Sequence, residues 1–533
     1  MYYGVMNKMY KKLEEVFGYT SFRPLQEEII SDILSGRDVF ALMPTGAGKS
    51  LCYQLPALLK PGLTIVVSPL IALMKDQVDG LKQNGVAAEF LNSSLNQKEQ
   101  RIIEQGLIDG KISLLYVAPE RLTQTYFLNF LKKLQVNFFA IDEAHCISEW
   151  GHDFRAEYRE LKKLRAEFPN TSIAAFTATA TPRVKKDVVK QLGLKDLKEY
   201  KASFNRPNLH YKIYEKIKAF DKIVDYLDDH KNESGIIYCQ SRNKVDKMAE
   251  KLQKYGLKAL PYHAGLSDRD RQKNQEKFIN EDIHIMVATI AFGMGIDKSN
   301  VRFVIHNDIP ANIERYYQET GRAGRDGLQS DCLLFYSFRD TQMIERFIQE
   351  KNPEEQEVAR LLLKKMVRFA ETKSCRRKIL LEYFDEVFDQ DNCKSCDNCV
   401  NPGEMFDGTI VTQKILSCVL RLNQNFGLSY VGDVLLGKNL QKIRDRGHDK
   451  LSTYGIVTDY SESQLKTYIR ELVESGYLEL VGDDYPVLHI TSLGISVLKN
   501  RTPVSLHVVT DIIKRKPIDH SSDINPDLFE KLR

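Results

Sequence analysis

Long apolar runs are missing from this chain. No stretch approaches the roughly 18 consecutive apolar residues of a membrane span, so no membrane association is expected. The opening segment, MYYGVMNKMYKKLEEVFGY, lacks the uninterrupted apolar core of a secretory signal. Cysteine occurs only nine times, too sparsely for a disulfide scaffold and in an odd number that cannot pair completely. These absences place the chain in a reducing interior, cytoplasmic or nuclear. An excess of one charge is missing too: Lys+Arg 76 against Asp+Glu 72 leaves +4, so any surface for a polyanion must be local. Neither a short internal repeat nor a low-complexity tract is present. With 43% hydrophobic and 28% charged residues the composition excludes a disordered or collagen-like protein.

What is present is length. At 533 residues the chain is several times a typical domain of about 100 to 150. The first 200 residues alternate helical periodicity with short apolar runs, DVFALMP, LTIVVSP, ISLLYVAP, NFFAIDE and SIAAFTAT, a pattern of parallel strands covered on both faces. After Phe204, Asn205, Arg206 and Pro207 a second series begins: GIIYCQS, LKALPYH, IHIMVAT, RFVIHND and DCLLFYS. Two α/β domains in tandem, 1–205 and 206–340, are the economical reading, followed by a helical, cysteine-bearing segment at 341–405. In 406–505, Ser461 and Gln464 stand at capping-box spacing before a helical stripe that ends at Gly476. The runs YLELV and VLHIT then flank the turn GDDYP, a hairpin signal. That order fits a winged helix or a generic α+β unit. Residues 506–533, with KRK at 514–516, are expected to form a flexible tail.

Pro44-Thr45-Gly46-Ala47-Gly48-Lys49-Ser50 lies between an expected strand and helix, as a phosphate-binding loop requires. Its backbone N–H groups would face phosphates, Lys49 would reach the terminal ones, and Ser50 would hold magnesium. The pattern departs at Met43, where a first glycine is usual. About 90 positions on, Asp142-Glu143-Ala144-His145 ends an apolar strand. There Asp142 suits the magnesium-associated carboxylate of a nucleotide hydrolase and Glu143 the group that orients water; taken alone, the pair reads equally as two solvated carboxylates. Gln318 and Gly321-Arg322-Ala323-Gly324-Arg325-Asp326-Gly327 follow in the second domain, either a surface turn or, coupled to a P-loop, arginines that neutralise charge on a transferring phosphoryl group.

Taken in order, these motifs resemble those of superfamily 2 helicases of the RecQ family, over about residues 10 to 500. The resemblance implies two RecA-like domains, a helical zinc-binding module, a winged helix and ATP-dependent 3′-to-5′ unwinding of DNA in repair, recombination or replication. Phe17-Gly18-Tyr19 and Phe22-Arg23-Pro24-Leu25-Gln26 resemble the adenine-recognising segment, with Gln26 on the base edge and Tyr19 or Arg23 on the ring. Ser68 to Met74, Thr177 to Ala180, Tyr262 to Gly265, and Ala288-Thr289 through Gly295-Ile296-Asp297 resemble further motor motifs. Ser148 to Arg155 resembles the aromatic-rich loop, where Trp150, the only tryptophan, and Phe154 could stack on bases while Arg155 meets phosphate. His145 and His152 would join in coupling strand binding to hydrolysis; His263 is a further candidate.

Cys375, Cys393, Cys396 and Cys399 have the spacing C-x17-C-x2-C-x2-C. Four thiolates can close a tetrahedral zinc site with no position left for water, so the zinc is expected to be structural. The other cysteines, Cys52, Cys146, Cys239, Cys332 and Cys418, read as buried free thiols. The implied cofactors are ATP, Mg2+ and structural Zn2+. The implied partners are single-stranded and forked or tailed DNA, with topoisomerases and single-strand binding proteins by resemblance only. About 30 residues follow the winged-helix segment, too few for the helical accessory DNA-binding domain of many relatives. The rival readings are an RNA helicase and a binding protein with a vestigial motor.

Overall fold

The computed structural model describes residues 2–69, 71–92, 95–151, 153–293, 298–482 and 486–508. It divides into two compact units, Met1–Val400 and Asn401–Arg533.

In the first unit, β1 (Val39–Leu42), β2 (Leu63–Val67), β3 (Ala88–Leu91), β4 (Leu114–Val117), β5 (Val136–Ile141), β6 (Ser172–Thr177) and β7 (Lys198–Lys201) form one sheet in the order β3-β4-β2-β5-β6-β1-β7. All its pairings are parallel. Alternate residues feed two cores: Ile65, Val67, Leu115, Val117, Phe139 and Ile141 pack on one face, and Val66, Leu114, Tyr116, Phe138 and Ala140 on the other. Central strands buried on both faces explain the continuous apolar runs. A second parallel sheet follows: β8 (Leu209–Glu215), β9 (Ser234–Tyr238), β10 (Ala259–Tyr262), β11 (Ile285–Ala288), β12 (Val301–His306) and β13 (Ser330–Tyr336), in the order β10-β11-β9-β12-β13-β8. Helices Phe338–Gln349, Pro353–Glu371, Arg376–Tyr383 and Asp397–Val400 complete the unit and carry the cysteine cluster.

Ten strands lie where the apolar runs predict them, whereas β3, β7 and β8 answer to no run. All three are sheet edges, and β7, Lys-Glu-Tyr-Lys, is largely exposed. In the first sheet β1, β6 and β5 are neighbours, so the loops leaving their C-terminal ends converge at one rim. The rim of an open α/β sheet where strand order reverses is where ligands bind.

The second unit packs helices Thr409–Arg421, Leu428–Leu435, Glu462–Glu474 and Ser492–Asn500 around a core that includes Ile415, Val434, Leu465, Ile469 and Leu488. The capping box at Ser461 and Gln464 starts its helix as expected. Strands β15 (Leu478–Val481) and β16 (Val487–Ile490) pair antiparallel as the hairpin; Asp483, Asp484 and Tyr485 of its turn lie outside the described residues. Strands β14 (Met405–Asp407) and β17 (Ser505–His507) join the two ends of the unit. Leu506 and His507, expected in the tail, are therefore paired in a strand, and KRK at 514–516 lies outside the described residues. Among the described residues no helix is long and apolar enough to cross a membrane.

Candidate active site

The phosphate loop leaves β1 and enters the helix Lys49–Leu59. Gly46 and Gly48 have φ of 85° and 81°, left-handed backbone that side-chain-bearing residues rarely adopt. A Cβ on Gly48 would lie 2.4 Å from Gln26 Nε2, so close approach as well as conformation requires glycine there. Met43 is fully buried and touches Cys52 across 4.0 Å: the departure from the usual loop pattern is a core side chain at the end of β1.

The adenine-motif residues lie against this loop. Gln26 is buried; its Oε1 accepts from Arg23 N at 2.8 Å, and its Nε2 donates to Gly48 O at 3.1 Å. Arg23 donates to Gly46 O, while Tyr19 is exposed. Both amide atoms expected to read adenine are thus engaged by the protein itself, and a base would share or exchange those bonds.

Asp142 directly follows β5, and its backbone N donates to Val67 O at 2.9 Å. Burial first, and the Glu143 carboxylate second, raise its carboxyl to about 6, with Lys49 opposing. A buried carboxyl held back from ionising beside a phosphate loop is short of positive charge, and a divalent cation shared with Ser50 fits that need. Glu143 has φ 48°, a strained conformation for a non-glycine residue at the turn into the short helix Ala144–Ile147. From here a chain of polar contacts crosses to the second lobe. His145 Nδ1 lies 3.3 Å from Glu143 Oε2 and 2.8 Å from Thr177 Oγ1. Thr177 Oγ1 donates to Thr179 O at 3.1 Å, and Thr179 Oγ1 accepts from Gln318 Nε2 at 3.1 Å. Burial alone would push the His145 imidazole down, but Cys146 and the Glu143 carboxylate hold its proton and raise it to about 10.

Gln318 lies on the helix Ile313–Thr320, capped by the Asn312 side chain, and the glycine-arginine turn follows at once. This turn seats on the phosphate loop: a Cβ on Gly321 would meet Thr45 Cβ at 3.4 Å, and one on Gly46 would meet Arg325 Cγ at 3.3 Å. The two arginines are not equivalent. Arg325 packs against the loop, whereas Arg322 is buried in its own lobe and donates to Gly293 O. Gly295, Ile296 and Asp297, just beyond, lie outside the described residues. Sequence reasoning passed over Arg206 except as part of a domain boundary. Its guanidinium donates to Thr45 O at 3.3 Å in one lobe and to Ala323 O at 3.0 Å and Gly324 O at 2.8 Å in the other.

In the aromatic loop, Trp150 is 38% exposed, and the guanidinium carbon of Arg183 lies 3.2 Å from its ring centroid. Arg183 sits on the helix Pro182–Leu192, directly after the Thr177–Ala180 motif; its role had no signal in the sequence. Arg155 donates to Pro69 O at 2.9 Å and to Asp153 Oδ2 at 3.3 Å, fastening the loop to the segment after β2. Phe154 is half-buried and lines a cavity of about 540 Å³ together with Tyr238, Thr289 and Pro310. His152 and Leu70 lie outside the described residues. His263 Nδ1 accepts from Gly265 N at 3.1 Å, and its Nε2 donates to Asp246 Oδ1 at 2.8 Å, within the second lobe.

The sulfur atoms of Cys375, Cys393, Cys396 and Cys399 all lie within 4.8 Å of one another. Cys396 N donates to Cys393 Sγ at 3.3 Å, the kind of outer hydrogen bond that orients a thiolate ligand. An all-sulfur set with such support fits a closed zinc site. The other five cysteines are buried, as expected.

Residues 23–188 match the DEAD/DEAH box helicase family and 215–327 the helicase conserved C-terminal domain. Residues 338–400 match the RecQ zinc-binding family and 402–514 the RQC domain. The chain is 45% identical over 529 residues to the ATP-dependent DNA helicase RecQ of Haemophilus influenzae, covering 98% of this chain and 85% of that one. It is 41% identical over 536 residues to its namesake from Bacillus subtilis, covering 99% and 89%. Among solved structures, Saccharomyces cerevisiae Dbp5 bound to RNA and ADP BeF3 superposes with a TM-score of 0.51 at 16% identity, covering 66% of this chain and 97% of that one, a likeness of fold. Two parallel-sheet lobes joined at a phosphate loop, a four-cysteine module and a unit with a hairpin are thus matched segment by segment and end to end, and the chain belongs to the RecQ helicase family.

Proposed function

We propose that this chain hydrolyses ATP in the cleft between its two parallel-sheet lobes and couples that reaction to 3′-to-5′ movement along one DNA strand, separating the duplex in repair, recombination or replication. The observation that carries this reading is the seating of the glycine-arginine turn on the phosphate loop, Arg325 against Gly46. A nucleotide bound at the loop touches both lobes, so making and breaking its terminal bond changes their separation.

The N–H groups around Thr45, Gly46 and Gly48 and the Lys49 ammonium take the phosphates. Ser50 and Asp142 would hold Mg2+, which when bound neutralises phosphate charge. Glu143 orients or deprotonates the attacking water, and His145 reports its position through Thr177 and Thr179 to Gln318. Arg325 reaches the transferring phosphoryl group from the second lobe, and Arg322 joins it on leaving Gly293. Gln26 exchanges Gly48 O for the adenine edge, with Tyr19 and Arg23 beside the ring. Trp150 and Phe154 stack on bases, with Arg155 and His152 beside them. The four cysteines hold a structural zinc, and the winged-helix unit binds duplex. A cytoplasmic or nuclear site of action and contacts with topoisomerases and single-strand binding proteins complete the proposal.

The test is ATP turnover by the purified chain with no polymer, with single-stranded DNA and with single-stranded RNA, at one fixed salt concentration. Stimulation by DNA alone is expected. Equal or greater stimulation by RNA would replace DNA as the substrate, and no turnover under any condition would leave a binding protein with an inert motor.

A further inference from the structure

The segment joining the two lobes is held rather than free, and what holds it is the cysteine module. Arg377, two residues after Cys375, is buried. Its guanidinium donates to Asn205 Oδ1 at 2.8 Å, Arg206 O at 2.6 Å and Leu209 O at 2.7 Å. It also donates to Ser395 Oγ at 2.9 Å, and Ser395 Oγ lies 3.5 Å from Cys393 Sγ. On the other side of the segment, Glu386 accepts from Ser203 Oγ at 2.5 Å and Phe204 N at 2.6 Å. Phe384 stacks on Phe204 with ring centroids 4.2 Å apart. With the backbone held this way, the Arg206 guanidinium lies in the gap between Thr45 O and the carbonyls of Gly321, Ala323 and Gly324.

We infer that Arg206 is a positioning residue for ATP hydrolysis: clamped by Arg377 of the cysteine module, it sets the spacing between the phosphate loop and the arginine-bearing turn. This rests on reading the cleft as the ATP site. A planar guanidinium presents its donors in a fixed fork and so bridges carbonyls on two bodies at a set spacing, whereas the donors of an ammonium rotate on a flexible stem and fix that spacing less tightly. Catalysis across a cleft is sensitive to displacements of about 1 Å, which can cost about a hundredfold in rate. Arg206 therefore acts on kcat through Thr45 and Arg325, and the module's grip on the linker reaches the reacting groups by that route.

The experiment uses the full chain with single-stranded DNA, and compares Arg206→Ala, Arg206→Lys, Arg377→Ala, the Arg206→Ala/Arg377→Ala double variant and Lys49→Ala. For each variant kcat, KM for ATP, DNA affinity and zinc content are measured. Arg206→Ala and Arg206→Lys are expected to lower kcat about tenfold or more, with KM within about twofold and with DNA affinity and zinc content unchanged. Arg377→Ala is expected to lower kcat in the same way, and the double variant to be no worse than the poorer single one, because both act through one contact. Unchanged kcat in Arg206→Lys and Arg206→Ala would overturn the inference, as would a rise in KM matching the fall in kcat, or multiplicative losses in the double variant. If Arg206→Ala does not fold, Arg206→Lys decides. If Lys49→Ala retains turnover, the ATP-site reading itself fails; if Lys49→Ala is inactive while both Arg206 variants are normal, only the role of Arg206 does.

Discussion

Lys49 stands at the first turn of a helix that begins at a left-handed glycine, and the proposed site gives its ammonium a phosphate as partner. Replacing it with alanine removes charge neutralisation from the transition state, and Lys49→Ala should lower ATP turnover by about a hundredfold or more with DNA affinity largely retained. A turnover assay beside a DNA-binding titration checks both halves. Trp150→Ala should reduce stimulation by DNA more than basal turnover, because stacking is worth roughly 1 to 3 kcal/mol per base and the loop lies a few residues from Glu143; equal loss of both rates would mark the tryptophan as a folding residue. The residues named from sequence, Lys49, Asp142, Glu143, Gln318 and the four cysteines, are legible because their chemistry is written in short local runs. Arg206 and Arg377 are not, since each works through partners 115 to 172 positions away, and an arginine before a proline or within a short basic run carries no such mark. Gln26 illustrates a subtler limit: its type and place were readable, but not that both ends of its amide are bonded to the protein.

Among the elements, the buried strands announced themselves by apolar runs, whereas β3, β7 and β8 did not, since an edge strand shows solvent one side and needs no such run. The end of β12 holds a second feature invisible in sequence. The Asp308 carboxylate is buried between Lys216 and Lys244, each at 2.5 Å, and accepts from Gln240 N at 3.0 Å. Burial would raise its pKa, but Lys216 and Lys244 outweigh it and hold the group below its ordinary value of 3.8. A carboxyl depressed in the folded state stabilises the lobe above the ordinary value, and that stability is lost as pH falls through the folded one. Lys216 keeps Asp340 as a partner and Lys244 reaches solvent, so Asp308→Asn should destabilise the second lobe by roughly 1 to 3 kcal/mol near neutrality, and the deficit against the parent chain should shrink below about pH 4; thermal unfolding across that range measures it. The cysteine module gives a prediction of its own. Metal analysis should find one zinc per chain, and Cys396→Ser should lose it together with part of the folded signal of the module. A folded, zinc-free parent chain would contradict the assignment.

On the scale of the whole molecule, a chain with a net charge of only +4 must collect its DNA contacts into local tracks, so binding to single-stranded DNA should weaken steeply and linearly on a log-log plot as salt rises. A flat plot would mean that phosphate contacts contribute little. Domain order was legible because each unit carries its own periodicity and motif, but the grip of the cysteine module on the linker was not, because it joins segments that sequence reading had assigned to separate domains. The contact between Arg183 and Trp150 has an optical consequence. With one tryptophan in 533 residues, the emission excited to the red of the tyrosine absorption comes from a single indole, and a guanidinium lies over its face. Any event that lifts Arg183 away or slides a base into its place changes the surroundings of that one fluorophore, so the unlabelled protein carries its own probe of the aromatic loop, readable in real time as nucleotide and strand bind.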